Sequence, residues 1–334
     1  MAFKASERTW LPYPAIYRAQ ADLPSGRLHA RCIISPASLA PTLPICPDPN
    51  RDAIPTGRTR PMPSRPKLLA LDMDGTLLNS QKRISPRTIA ALYGLAHRGV
   101  VITLSTGRGL AEIADYRDEL SWLRYASLDG GALVYNLEAK RPIDALPIPD
   151  TLVLSCIRTG RREGVMVHMS TTTGSVVEHG YVERSDEFGV GIYQSMFDRR
   201  CERVNDIARY AQDHPCTVVK IDLFHLDSAS RERTFGRLSV GSSLSLKRAE
   251  ATSVECTPVG VNKATGLQKI CELLDIGMGE VVAIGDADND MDVLGVVGTS
   301  VAMGNASERI RMACDVVVAD CDHDGIVEAI ERLF

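Results

Sequence analysis

Two carboxylates stand two residues apart at the end of an apolar run: Leu68-Leu69-Ala70-Leu71 leads into Asp72-Met73-Asp74-Gly75-Thr76. In a strand, alternate residues point the same way, so Asp72 and Asp74 can converge on one spot at its end. Like charges that close repel, and a charge near a core is costly unless compensated. A shared hard cation is one compensation, and Gly75 would permit a sharp exit or a close backbone approach. A turn carrying two solvated acids is the plainer alternative. Ser105-Thr106-Gly107-Arg108 also follows an apolar run. A hydroxyl with backbone amides at a helix start suits a phosphate oxygen, and equally suits an ordinary helix cap. Lys263, in Val259-Gly260-Val261-Asn262-Lys263, enters a helical stretch where it could offer a point charge to a phosphate, or simply face solvent.

The fourth cluster is Gly285-Asp286-Ala287-Asp288-Asn289-Asp290, again after an apolar run. It opens like a calcium-binding loop, but Met291 stands where such a loop needs Gly and Val297 where it needs Glu. Magnesium, which takes few carboxylates and completes its shell with water and phosphate, fits these acids better. Each cluster alone has an ordinary structural explanation. Their shared position, at a strand end or a helix start, is what points to one site.

The elements that must hold these residues alternate in type. LLAL (68–71), VVITLS (100–105), YASL (125–128), VVAIG (281–285), SVAMG (300–304) and DVVV (315–318) are continuous apolar strands, with ALVY (132–135) a further short one. Helical stretches near 86–98 and 109–121 separate the early ones. Such alternation predicts an α/β fold: a Rossmann-like parallel sheet with helices on both faces, whose ligand crevice lies at the carboxyl ends of the strands. Residues 150–250 read as an α+β module set between the third and fourth strands of that sheet. The expected organisation is a core of 67–148 and 252–334, with a second domain at 149–251 built over the crevice.

Residues 1–66 hold twelve of the 18 prolines and nine Lys and Arg against four Asp and Glu, leaving 29 against 38 for the remainder. Without a sustained period such a segment cannot bury enough apolar surface to order itself. We read it as a disordered, dispensable extension; a transit peptide or a start at Met62 are the alternatives. The 334 residues, 44% hydrophobic and 24% charged, suit a soluble two-domain protein. The net charge of −4 gives no electrostatic case for nucleic acid, and no run is long enough to span a membrane. Nine cysteines without a C-x-x-C pair read as reduced cytoplasmic thiols.

In this order the clusters resemble the motifs of the haloacid dehalogenase superfamily of phosphatases, and more narrowly its Cof-type branch with a large α/β cap. LDMDGTLLNS is similar to the first motif, STGR to the second, VGVNK to the third and GDADNDMDVL to the fourth. The resemblance spans about 67–334. It implies that Asp72 is the nucleophile forming an aspartyl-phosphate. Asp74 would protonate the leaving oxygen and then deprotonate the hydrolytic water. Thr106, with Gly107, and Lys263 would bind the phosphoryl group, and Asn289 would contact it or orient Lys263. Mg²⁺ would be held by Asp72, the backbone carbonyl of Asp74 and Asp286, with Asp290 in support. An acid role requires Asp74 to have a raised pKa, which a crowded acidic site favours. Two positions depart from the pattern: Gly130 stands where Asn is usual, and Val293, read as packing, where Met is common. His323, in Asp322-His323-Asp324, is read as a cap of the last helix rather than a metal ligand.

The expected protein is thus a cytoplasmic Mg²⁺-dependent phosphomonoesterase, monomer or homodimer, acting on a small phosphorylated metabolite such as a sugar phosphate. A phosphomutase and a non-catalytic phosphometabolite sensor are the rival readings.

Overall fold

The computed structural model describes residues 66–241, 243–249 and 251–334; the expectations for residues 1–65 lie outside these. All of β1 (Leu68–Leu71) is buried, because strands flank both edges and apolar layers cover both faces. Leu69 and Leu71 point into one layer, with Leu92 and Leu95 of the helix Pro86–His97 and Ile326 and Ile330 of the helix Gly325–Leu333. Leu68 and Ala70 point into the other, with Leu267 and Ile270 of the helix Lys263–Leu274. A strand buried on both faces has no polar side to alternate with, which is why the run is continuously apolar.

Along the chain β1 is followed by β2 (Val101–Ser105), β3 (Tyr125–Leu128), β4 (Leu133–Asn136) and β5 (Arg141–Ala145). The second half adds β12 (Val281–Gly285), β13 (Thr299–Ala302) and β14 (Val316–Val317). Among the described residues these form one sheet in the order β14-β13-β12-β1-β2-β3-β4-β5. The order reverses at β1, which pairs in parallel with β2 on one side and β12 on the other. The fold is α/β with a Rossmann-like core.

Three expectations need correction. The sheet is not parallel throughout: β4 runs antiparallel to β3, and β5 antiparallel to β4. Asp129, Gly130 and Gly131 all have positive φ (51°, 67° and 103°) and turn the chain back on itself there. The intervening module therefore follows β5 instead of the third strand. The helix expected over 109–121 is broken into a short helix, Leu110–Ile113, and a 3-10 turn, Ala114–Tyr116. Ala111, Ile113, Leu120 and Leu123 are buried all the same, so the apolar spacing survives although the helix does not.

The intervening residues form a second sheet from β6 (Met166–Thr171), β7 (Ser175–Glu178), β8 (Glu202–Val204), β9 (Val218–Phe224), β10 (Leu244–Ala249) and β11 (Ser253–Pro258). Its order is β10-β11-β9-β6-β7-β8, antiparallel except for β7 with β8. One face carries Val167, Met169, Ile221 and Leu223 into an apolar cluster with Val153 and Ile157 of the helix Asp150–Arg161. The other face looks across the strand ends of the first sheet.

Candidate active site

Asp72 leaves β1 still paired to the sheet, its N–H donating to the Ile284 carbonyl at 3.1 Å. Its carboxylate is 6% exposed and accepts a hydrogen bond of 2.6 Å from Lys263 Nζ. Lys263 is the first residue of its helix, which starts cleanly because Asn262 caps it: the Asn262 side chain accepts from the Thr265 N–H at 2.9 Å, and Thr265 Oγ1 accepts from the Asn262 N–H at 3.1 Å. The lysine, 2% exposed, also donates to Asp290 Oδ1 at 2.6 Å. Burial works against its charge, but Asp72 and Asp290 outweigh it and keep the ammonium. Burial likewise pushes the Asp72 carboxyl upward, with Lys263 pulling the other way.

Asp290 is fixed on its second oxygen by the N–H groups of Asp286 and Ala287, both donating at 3.0 Å. Lys263 is therefore oriented by the carboxylates of Asp72 and Asp290, and the expectation that Asn289 does this is not met; Asn289 is exposed and lines the crevice instead. Asp286 accepts from Thr76 Oγ1 at 3.1 Å and from Asn305 Nδ2 at 3.0 Å. Burial, with Asp290 adding to it, raises the Asp286 carboxyl to about 6. Gly75 makes room for it: the glycine has φ +76°, and a Cβ there would lie 2.2 Å from Asp286 Oδ2.

One carboxylate oxygen each from Asp72, Asp286 and Asp290 lies within 4.8 Å of the other two. An all-oxygen set of three acids, Asp72 and Asp290 buried and Asp286 half-buried, with Asp72 and Asp286 displaced upward in pKa, is suited to a small hard cation. The Asp74 carboxylate is not part of this group. It turns the other way, onto Arg108 Nε at 2.7 Å and Nη2 at 2.8 Å and onto Lys82 Nζ at 2.7 Å. Burial would raise its pKa, but the two cations prevail and hold it at about 2. This overturns the expected raised value: crowding by acids was anticipated, whereas the contacts are a bidentate guanidinium and an ammonium. In this arrangement Asp74 is an anion and not a proton donor.

Thr106 follows β2, and its buried hydroxyl oxygen accepts from the Arg108 N–H at 3.1 Å. Asp72, Asp74, Thr106, Gly107, Arg108 and Asn289 all line a crevice of about 380 Å³ between the two sheets. Its far wall mixes Lys220, Asp222 and Phe224 of β9 with Tyr193 and Phe197 from the 3-10 turn Gly191–Tyr193 and the helix Gln194–Arg200. Lys263, Asp286 and Asp290 sit behind Asp72, linked to it by the contacts above.

Sequence reasoning gave no role to Arg108, Lys82, Thr76 or Asn305. Arg108 stood inside a motif that had been picked out. Asn305 follows β13 and bridges the Gly75 carbonyl, at 2.9 Å, to Asp286, a tie no local pattern announces. His323 does not cap the last helix; its Nδ1 lies 2.6 Å from Asp320 Oδ1 on the surface. Val293 is buried in apolar surroundings, as its reading as a packing residue required.

A sheet whose order reverses at β1, with its polar residues gathered where β1, β2 and β12 end, makes this an α/β enzyme of the kind that binds ligands at a topological switch point. The chain belongs to the haloacid dehalogenase-like hydrolase family, whose description matches residues 69–330. It is 27% identical over 268 residues to the pyridoxal phosphate phosphatase YbhA of Escherichia coli, covering 79% of this chain and 97% of that one. It is 26% identical over 272 residues to an HMP-PP phosphatase of Serratia proteamaculans, covering 80% and 94%. A crystal structure of a haloacid dehalogenase-like hydrolase from Bacteroides thetaiotaomicron superposes with a TM-score of 0.71 at 27% identity, covering 81% of this chain and 100% of that one.

Proposed function

We propose that this protein is a Mg²⁺-dependent phosphatase that hydrolyses small phosphorylated metabolites through an aspartyl-phosphate on Asp72. The observation that carries the reading is the buried bridge Asp72–Lys263–Asp290 with Asp286 beside it. An anionic nucleophile meets an anionic phosphate only if positive charge is fixed between them, and Lys263 supplies such a charge with no freedom to leave. Asp72, Asp286 and Asp290, with the backbone carbonyl of Asp74, are the groups that would hold Mg²⁺. When bound, the cation would neutralise phosphoryl oxygens.

Asp72 attacks phosphorus and the ester oxygen leaves. Thr106 and the backbone about Gly107 receive the transferring group, at the mouth of the crevice that Asn289 also borders. Asp74, ionised beside Arg108, is ready to take a proton from the water that hydrolyses the acyl phosphate. Its other task, protonating the leaving oxygen, requires that it be released from Arg108 and Lys82 and take up a proton from solvent before it gives one to the ester oxygen; an arriving phosphate is a competing anion for both cations. We read the module from residue 149 to Pro258 as a cap whose approach excludes water from the crevice and selects the leaving group; it runs past the expected boundary at 251 because β11 pairs with β9 and β10 and so belongs to the second sheet. All seven described cysteines are free, which fits work in the reducing cytoplasm.

The test is phosphate release from a panel of phosphorylated metabolites in the presence of Mg²⁺, with Asp72→Asn run alongside. Turnover that the substitution abolishes supports the proposal. A wild-type protein that is folded, binds Mg²⁺ and releases phosphate from nothing in the panel contradicts it.

A further inference from the structure

The second sheet places a lysine where its own packing does not need one. Along β9, Lys220, Asp222 and Phe224 line the crevice, while Ile221 and Leu223 pack into the cap's apolar interior. Lys220 is 4% exposed, and its Nζ leaves its own sheet to donate to the carbonyl oxygen of Gly107 at 2.9 Å. Around it lie Glu112 Oε2 at 3.5 Å and Asp129 Oδ1 at 3.5 Å from the core, and Asp222 Oδ2 at 3.8 Å from its own strand. Glu112 also accepts from the Gly109 N–H at 2.6 Å. The loop after β2 is gripped from two sides, and tightly: a Cβ on Gly109 would lie 2.8 Å from Asp129 Oδ1 and 2.9 Å from Ser170 Oγ of β6.

This loop carries Thr106 and Arg108. A buried ammonium is costly to desolvate and is kept only where carboxylates surround it, as they do here from both sheets. Its hydrogen bond to Gly107 therefore exists only while the second sheet rests on the first.

We propose that Lys220 is a positioning residue for the phosphoryl site: it sets the Thr106–Arg108 loop from across the crevice and makes that setting conditional on cap closure. The proposal rests on the reading of Thr106 as a phosphoryl ligand. Through Gly107 the lysine steadies both the hydroxyl of Thr106 and the backbone from which Arg108 reaches Asp74. An open cap would leave the loop unset, so a phosphate arriving without a leaving group that draws the cap down would meet an imperfect site.

The test uses the full chain with 4-nitrophenyl phosphate and Mg²⁺, comparing wild type, Lys220→Met, and Lys220→Met combined with Glu112→Gln, which removes one of the stranded charges. Amide hydrogen exchange over residues 106–112 is read on each. Expected in Lys220→Met is a fall in kcat of about ten- to a hundredfold with little change in KM, and faster exchange in the loop. The double variant should regain thermal stability without regaining kcat, and it stands in for the single one if that fails to fold. Recovery of kcat in the double variant would reduce the lysine to a charge balance and overturn the proposal, as would unchanged kcat and exchange in Lys220→Met. If wild type releases no phosphate but loses loop protection on substitution, the grip on the loop stands and the phosphatase reading fails.

Discussion

Two cations share the carboxylate of Asp74, so a change at either should be read on that carboxylate. With its pKa held at about 2, Asp74 contributes stability that is complete above pH ~4 and is lost as pH falls through the folded value. Because the side chain is 44% exposed, solvent screens that contribution and it is small. Arg108→Met should raise the carboxyl toward the ordinary value near ~4, as followed by carbon-detected NMR titration. A midpoint that stays near 2 would assign the depression to Lys82 alone. Asp72, Asp74, Lys263 and Asp286 stood out in the sequence because acids at strand ends and a lysine at a helix start occur together in the order of the family's motifs. The ionisation of Asp74 did not, because it depends on Arg108 and Lys82, which only the folded backbone brings to it from two different loops.

At the scale of elements, two joints set the geometry. The first is the exit from β1, where Gly75 lets the chain pass against Asp286. Gly75→Ala puts a side chain in a left-handed conformation and into a carboxylate. It should cost about 1–3 kcal/mol by urea unfolding and weaken Mg²⁺ binding measured by calorimetry. Loss of stability with Mg²⁺ affinity intact would detach the turn from the acids. The second joint is the start of the helix Lys263–Leu274. Asn262→Ala removes its cap and should cost about 1 kcal/mol, with phosphate release reduced beyond what the unfolded fraction explains. The apolar strands flanking these joints were readable from the sequence, since burial on both faces leaves an unbroken run. The β3–β4 reversal was not, because nothing marks Asp129 as taking the same left-handed turn as the glycines after it.

For the whole molecule the acids around Asp72 form a reserve of unbalanced charge that a cation can settle. Mg²⁺ at about a hundred times its dissociation constant should stabilise the fold by about 2.7 kcal/mol, seen as a rise in Tm that a chelator reverses and that Asp286→Asn removes. The sign of the pH dependence follows from Asp286, whose carboxyl is raised to about 6. Below that value it holds a proton the cation must displace, so the rise in Tm should be smaller at pH 5 than at pH 7. An equal rise at both would move the cation away from Asp286.

The two crossings between the sheets are unlike each other. On the inward side Leu146 N–H donates to the Ala132 carbonyl and Ile148 N–H to the Val218 carbonyl, so that connector is stitched to both sheets in turn. On the outward side the chain leaves β11 at Pro258 and reaches Asn262 and Lys263 almost at once. Treated as a cassette, the insert therefore has one forgiving seam and one exacting one. A chimera spliced before Asn262 keeps the native cap and its lysine in the host's frame. One spliced beyond Lys263 imports the donor's lysine together with the donor's helix cap, so the residue facing Asp72 and Asp290 would be set by the donor's backbone.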